Sequence, residues 1–187
     1  MVLLNGIIPV ISDAGSFERF LRSSRKVCFL MNVHAALAAT MIRRAHAADK
    51  QVIVHIDMIA GLASDEAGCE YLCQVLKADG VISTRAKVVE TALRNHCTAI
   101  LRLFLIDSRS VEKGIAMAND VRPDYLEVLP AIATDILPVI RRGTSIALIG
   151  GGLLSTPEQI RRALASGLEA VSCSRSELWD TVKPRQL

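Results

Sequence analysis

The 187-residue sequence predicts a single α/β domain, residues 1–187, folded as a compact, TIM-like (β/α)8 barrel with helices that are short or missing. Short apolar segments alternate eight times with amphipathic segments, and each pair occupies about 20–25 residues. Hydrophobic residues make up 51% of the chain but aromatic residues only 4%. This balance is typical of a core built from small and branched aliphatic side chains.

The apolar segments have the length and the β-branched content of buried parallel strands. The predicted strands are Ile7–Ile11, Val27–Met31, Val52–Ile56, Gly80–Ser83, Ala99–Phe104, Tyr125–Leu129, Ser145–Ile149 and Ala170–Ser172. The predicted helices are Phe17–Leu21, Leu37–Ala47, Ala67–Leu76, Val88–Leu93, Val111–Ala118, Ile136–Ile140 and Gln159–Ala165. Thr156 followed by Pro157 and Gln159 predicts a capping box at the start of the last helix.

An open, doubly wound sheet is the alternative architecture for alternating strands and helices. No GxGxxG motif follows the first predicted strand, where such a sheet binds a dinucleotide. Residues suited to binding a phosphate, a run of three glycines and a pair of serines, instead follow the seventh and eighth strands. Barrels bind phosphate groups at these two strand ends. The sequence therefore favours the barrel.

Charge, cysteines and apolar runs narrow the classes of function. The net charge of +3 and pI near 8.7 permit an anionic partner without requiring one. The five cysteines lack the grouping of a zinc site, so we expect free thiols in a reducing cytoplasm and no metal or cofactor. No apolar run approaches the roughly 20 residues of a membrane span, and the N-terminus lacks a signal-peptide pattern.

A phosphate pocket is predicted at the ends of the last two strands. Gly150, Gly151 and Gly152 follow the seventh strand, and glycines let backbone N–H groups approach an anion closely. Ser172 and Ser174 flank Cys173 at the end of the eighth strand. Loops seven and eight together form the usual phosphate site of a barrel. A tight turn that binds no ligand is the alternative.

Charged residues interrupt several predicted strands and point to a polar mouth. His55 and Asp57 share one face of the third strand under a period of two. Arg102 lies in the fifth strand, Glu127 in the sixth, and Arg85 just after the fourth. Because an unpaired buried charge is costly, these groups either meet a ligand or form an internal network such as Asp57–Arg102–Glu127.

Enzymatic chemistry is limited by what the sequence lacks. None of the six lysines (Lys26, Lys50, Lys77, Lys87, Lys113 and Lys183) ends a predicted strand, which disfavours a Schiff-base aldolase. No GxSxG or Walker motif is present. Asp57 or Glu127 as a base, assisted by His55, would still suit an isomerase, epimerase or lyase on a small phosphorylated substrate.

Three arginine pairs are candidates for contacts with a nucleic-acid backbone. They are Arg43 with Arg44, Arg141 with Arg142, and Arg161 with Arg162. Solvated outer helix faces are the alternative interpretation. No aromatic RNA-binding motif is present.

Five blocks in order resemble the glycerol-3-phosphate-responsive antiterminators of bacteria. They are VHIDMIAGLASDEAGCEYL (54–72), GVISTR (80–85), LRLFLIDSRSVEKG (101–114), RPDYLEVLPA (122–131) and GGGLLSTPEQIRRALASGLEAVSCSRSELW (150–179). The match is weakest over residues 31–36, and Cys173 stands where a small hydroxyl residue is expected.

The resemblance implies a non-catalytic barrel that senses glycerol 3-phosphate and binds leader mRNA to prevent premature termination of glycerol-utilisation transcripts. It implies that Gly151, Gly152 and Ser174 hold the phosphate and that His55, Asp57, Arg85, Arg102 and Glu127 line the mouth. Homo-oligomerisation is left open. A sensor that acts through a protein partner, and the barrel enzyme described above, are the other functions considered.

Overall fold

The computed structural model describes residues 1–182, in which eight parallel strands close into a barrel in chain order. The first strand pairs with the eighth, with Gly6 opposite Ala170 and Ile8 opposite Ser172. This pairing confirms the predicted barrel and excludes the open sheet. The strands are β1 (Gly6–Ile11), β2 (Val27–Leu30), β3 (Gln51–His55), β4 (Gly80–Ser83), β5 (Thr98–Phe104), β6 (Tyr125–Leu129), β7 (Ala147–Gly151) and β8 (Ala170–Cys173).

Seven α-helices of the described residues surround the barrel, and each follows the strand of the same number. They are α1 (Ala14–Arg22), α2 (Ala35–Ala47), α3 (Glu66–Glu70), α4 (Ala86–Arg94), α5 (Ser108–Val121), α6 (Leu137–Gly143) and α7 (Pro157–Ala165). The predicted capping box at Thr156 is present. Within the described residues no α-helix follows β8; a 3-10 turn at Ser176–Leu178 and the buried Trp179 take its place. The expected missing helix is therefore the eighth.

Apolar side chains fill the lumen of the barrel except at its upper end, where the strands terminate. One apolar layer lies inside the barrel and a second lies between the strands and the helices. Val2 and Leu4 close the lower end, where the Tyr125 hydroxyl donates to the Val2 carbonyl (3.1 Å) and accepts from the Leu4 N–H (3.2 Å). The inner layer includes Ile8, Phe29, Ile53, Ile82, Ile100, Tyr125 and Ile149. The polar part of the lumen therefore lies at the end where the strands terminate.

Local geometry differs from the prediction at three places. β3 ends at His55, and a 3-10 turn (Ile56–Met58) carries Asp57, so Asp57 is not a strand residue. A two-stranded ribbon of Val33–His34 and Ile59–Ala60 was not predicted. α3 continues as a π-helical turn over Tyr71–Val75, where a single α-helix was expected.

Candidate functional site

A cavity of about 300 Å³ opens where the strands end, between β1, β2, β5, β6, β7 and β8. Its polar lining consists of Ser12, Asn32, Arg102, Ser172 and Ser174, and Gly152 contributes to the wall. Val10, Met31, Leu129, Leu153, Leu154 and Cys173 complete it. The structure thus brings the predicted end of β8 and one predicted mouth residue, Arg102, into the same cavity.

The three consecutive glycines meet three different requirements. Gly150 lies inside β7, and an added Cβ would come within 2.6 Å of Leu168 and 2.8 Å of Ala131 on the helix side. An added Cβ at Gly151 would meet the side chains of Ser172 and Glu127 in the lumen. Gly152 follows the strand with a φ of +81° and lines the cavity. Gly150 therefore faces away from the cavity, and β7 runs two residues beyond its predicted end.

Arg102, Glu127 and Ser172 form a buried chain beneath the cavity. Arg102 Nε donates to Glu127 Oε2 at 2.8 Å, and Ser172 Oγ donates to Glu127 Oε1 at 2.9 Å. Glu127 is completely buried, and Arg102 and Ser172 are 9% and 8% exposed. Because the two charges lie directly opposite each other on β5 and β6, they neutralise each other within the lumen.

Asp57 holds the loop after β3 to the end of β4. One of its carboxylate oxygens accepts from Ser64 Oγ and, at 2.8 Å, from Ser83 Oγ. The other accepts from the Thr84 N–H (2.8 Å) and from Thr84 Oγ1 (3.0 Å). Burial opposes ionisation, but these donors together lower the pKa of Asp57 below its usual value. The Asp57–Arg102–Glu127 network is absent, because Asp57 faces this loop and only Arg102 pairs with Glu127.

Arg85 supports the same loop from the start of α4. Its terminal nitrogen donates to the Ser64 carbonyl at 2.7 Å, and its N–H donates to Ser83 Oγ at 3.1 Å. Asp57 and Arg85 thus fix the rim of the barrel beside the cavity rather than lining the cavity itself.

His55 is the last residue of β3, and its titratable side chain is buried. It is 2% exposed, and its Nδ1 has no hydrogen-bond partner among the described residues. Burial, followed by the positive charge of Arg102, lowers the pKa of His55 to about 4. The imidazole is therefore neutral at physiological pH.

Asn32 and Ser12 were not among the predicted site residues, although both line the cavity. Asn32 lies two residues beyond the end of β2 with a left-handed backbone (φ 57°), and its backbone N–H donates to the Met58 carbonyl at 2.9 Å. A polar residue directly after a predicted strand was the signal available in the sequence. His34 has a different role, because its Nδ1 accepts from the Ala36 N–H and caps α2.

Cys173 departs from the expected hydroxyl residue without changing the polar lining. Its thiol lies in the apolar layer between strands and helices and donates to the Arg175 carbonyl at 3.7 Å. The Cys173 carbonyl accepts from Trp179 Nε1 at 2.9 Å. The substitution therefore affects packing behind the site.

The six candidate RNA-contact arginines do not form one surface. Arg44 pairs with Glu18 on the α2 side, whereas Arg161 pairs with Glu158 on α7. Arg141, Arg142, Arg161 and Arg162 lie on the neighbouring helices α6 and α7, and Arg43 and Arg44 lie on α2. Arg141 also donates to the Gly167 carbonyl at 2.6 Å, and Arg162 pairs with Asp135.

Residues 1–182 lack the features of three other classes of site. In this part of the chain no group of three or more His, Cys, Asp or Glu side chains could hold a metal ion. The five lysines in this range lie outside the barrel strands, and Lys183 is outside the described residues. No helix here has both the length and the apolar character needed to cross a membrane.

Fold and cavity together define a TIM-type barrel with a small polar cavity where β7 and β8 end. A family model, described as glycerol-3-phosphate responsive antiterminator, matches residues 7–179. The chain belongs to this family.

The proteins similar to the chain include two solved structures and one curated protein. The glycerol uptake operon antiterminator regulatory protein of Listeria monocytogenes is 34% identical, with a TM-score of 0.90 over 94% of this chain and 95% of that one. A glycerol uptake operon antiterminator-related protein of Thermotoga maritima is 29% identical, with a TM-score of 0.82 over 94% and 98%. The uncharacterised protein YgcP of Escherichia coli is 28% identical over 96% of this chain and 94% of its own length.

Proposed function

We propose that this protein is a cytoplasmic sensor of glycerol 3-phosphate that binds leader mRNA and prevents premature termination of glycerol-utilisation transcripts. The observation that carries the proposal is the polar cavity of about 300 Å³ at the ends of β7 and β8, in a chain of this family. Its volume suits a small ligand, and its position is the usual phosphate site of a barrel.

The donors around the cavity support one pose for the ligand. The phosphate lies against Gly152, which offers a backbone N–H group, and Ser174, which offers a hydroxyl, next to Ser172 and its neighbour Gly151. Arg102 offers its terminal N–H groups, because its Nε is engaged by Glu127. Asn32 is suitably placed for a glycerol hydroxyl.

Occupancy of the cavity is transmitted through the rim. Gly152 and Leu153 lead directly toward α7, and Asp57 and Arg85 fix the rim on the β3–β4 side. The RNA contacts are assigned to α6 and α7, through Arg141, Arg142, Arg161 and Arg162, and to Arg43 and Arg44 on α2. Linkage requires bound RNA to tighten glycerol 3-phosphate binding by the same factor that the ligand tightens RNA binding.

Calorimetric titration with glycerol 3-phosphate, glycerol and inorganic phosphate, with and without leader RNA, tests this function. We expect glycerol 3-phosphate to bind more tightly than either fragment, and the leader RNA to strengthen that binding. Unchanged RNA affinity at about 1 mM glycerol 3-phosphate, far above a micromolar dissociation constant, would contradict ligand-gated RNA binding.

A negative charge introduced at Ser174, directly after β8, tests the proposed position of the phosphate. Ser174→Asp adds a carboxylate beside the bound phosphate and should abolish detectable binding of glycerol 3-phosphate. Ser24→Asp adds the same charge to an exposed serine just before β2, at the opposite end of the barrel, and should leave binding unchanged. Equal affinities of the two variants would place the ligand elsewhere.

A barrel isomerase, epimerase or lyase is the second function to be tested. The contacts favour structural roles for both candidate bases, because Asp57 accepts four hydrogen bonds and Glu127 is engaged by Arg102 and Ser172. If the protein were such an enzyme, Asp57→Asn and Glu127→Gln would abolish turnover of a phosphorylated substrate while sparing ligand binding. Turnover by the wild-type protein that both substitutions remove would replace the regulator with an enzyme.

A further inference from the structure

An apolar groove lies on the rim of the barrel beside the polar cavity. It has a volume of about 340 Å³ and is lined by Phe104, Leu105, Ile106, Leu129, Pro130 and Leu153. Phe104 is 47% exposed, Leu153 71% and Ile106 82%. Large apolar side chains exposed next to one another, rather than scattered singly, mark a binding surface.

Strand register places this groove directly above the buried ion pair. Arg102 on β5 lies opposite Glu127 on β6, and two residues further along, Phe104 lies opposite Leu129. Residues two apart on a strand share a face, so Phe104 and Leu129 continue the inward face that carries the ion pair. The wall of the site therefore changes from charged to apolar as it leaves the barrel.

The groove and the cavity share part of their walls. Leu129, Gly152 and Leu153 line both of them. Leu153 has a φ of 59°, a left-handed conformation that is unfavourable for a leucine, and this backbone holds its side chain exposed between the two spaces. A single ligand can thus occupy both spaces, with a polar head below and an apolar portion at the rim.

We propose that the site takes a glycerol phosphate that carries a short apolar ester, a monoacyl glycerol phosphate. The phosphate and the free hydroxyl lie in the cavity, and the acyl chain lies in the groove against Phe104 and Ile106. This inference rests on the proposed binding of glycerol 3-phosphate and extends its ligand class. Each methylene withdrawn from water strengthens binding by about fourfold, so an open groove that covers one to two of them supplies about tenfold.

Calorimetry with three probes tests the inference on the full-length protein. The probes are sn-glycerol 3-phosphate, 1-hexanoyl-sn-glycerol 3-phosphate and hexanoate. We expect the hexanoyl ester to bind about tenfold more tightly than glycerol 3-phosphate, and hexanoate alone not to bind. In Phe104→Ser/Ile106→Ser, the ester should lose this advantage while glycerol 3-phosphate keeps its wild-type affinity. Val75→Ser, at a 62% exposed valine on the π-helical turn, should retain the advantage.

Three results would overturn the inference. The first is an ester that binds no more tightly than glycerol 3-phosphate. The second is an advantage that persists in the double variant. The third is a wild-type protein that sediments as a dimer, a double variant that sediments as a monomer, and an ester that binds no more tightly than glycerol 3-phosphate. This result would make the groove a contact between two copies of the chain. Failure of both phosphorylated probes to bind would instead contradict the proposed function itself.

Discussion

At the scale of single residues, the polar top of the lumen depends on Glu127. Its carboxylate neutralises Arg102 on one side and accepts from Ser172 on the other, in a position with no exposure to solvent. A buried ion pair adds little net stability compared with an apolar pair, but breaking one from one side leaves an uncompensated charge. The ion pair therefore holds Arg102 in the wall of the cavity, and the stability of the protein depends strongly on the charge of Glu127.

Glu127→Gln keeps the size of the side chain and removes its charge. We expect a loss of about 3 kcal/mol in the free energy of unfolding, because the Arg102 guanidinium remains buried without a counter-charge. Ser172→Ala removes a single hydrogen bond to the same carboxylate and should cost about 1 kcal/mol. Urea unfolding of both variants measures the difference. Equal losses would mean that the charge of Arg102 is compensated by another group.

His55 makes the stability of the protein sensitive to acid. Its pKa is about 4 in the folded protein, against 6.5 for a free histidine, so folding favours the neutral imidazole. The stability that results is complete above about pH 6.5 and is lost as the pH falls toward 4. Between pH 7 and pH 5 the wild-type protein should lose about 2 kcal/mol that His55→Gln does not lose. Parallel stability curves for the two proteins in urea unfolding would contradict this assignment.

At the scale of elements, β7 shows what the sequence could predict and what it could not. A glycine run after an apolar segment indicated that the strand ends there, and β7 does end at Gly151, before Gly152 turns with a positive φ. The roles of Gly150 and Gly151 depend on Leu168, Ala131 and Ser172, which are distant in sequence and become neighbours only in the barrel. The same holds for Asp57, whose four hydrogen bonds come from Ser64 in the loop after β3, from Ser83 at the end of β4 and from Thr84 directly after it.

Gly150 and Gly152 can be separated by the same substitution. Gly150→Ala crowds Leu168 and Ala131, which lie within 2.8 Å of the new Cβ, and should cost about 2 kcal/mol of stability without affecting the cavity. Gly152→Ala has room, with its nearest neighbours at 3.7 Å, but a φ of +81° should cost about 1 kcal/mol. Only Gly152→Ala should weaken glycerol 3-phosphate binding, by about tenfold. Denaturation combined with calorimetry checks both; weaker binding in Gly150→Ala alone would reverse the two roles.

At the scale of the whole molecule, the barrel closes although no α-helix follows β8 within residues 1–182. The eight strands and the seven helices could be predicted from the sequence because apolar periodicity is a local pattern. The pairing of β8 with β1 joins residues that are far apart in sequence, so no local pattern shows which of them pair. Trp179 covers the end of β8: it is 1% exposed, and its Nε1 donates to the Cys173 carbonyl. Arg25, which lies just before β2, holds the segment from Trp179 to Val182 in place, because its guanidinium donates to the carbonyls of these two residues.

Trp179→Ala tests whether this short segment replaces the missing helix. Removing a fully buried indole should cost about 4 kcal/mol, since the surrounding apolar layer cannot collapse into the space. Tyr71→Ala removes a 43% exposed aromatic side chain from the π-helical turn and should cost less than about 1 kcal/mol. Because Trp179 is the single tryptophan of the chain, urea unfolding is followed by far-ultraviolet circular dichroism rather than by fluorescence. Similar losses in the two variants would show that the strands and the seven helices close the barrel by themselves.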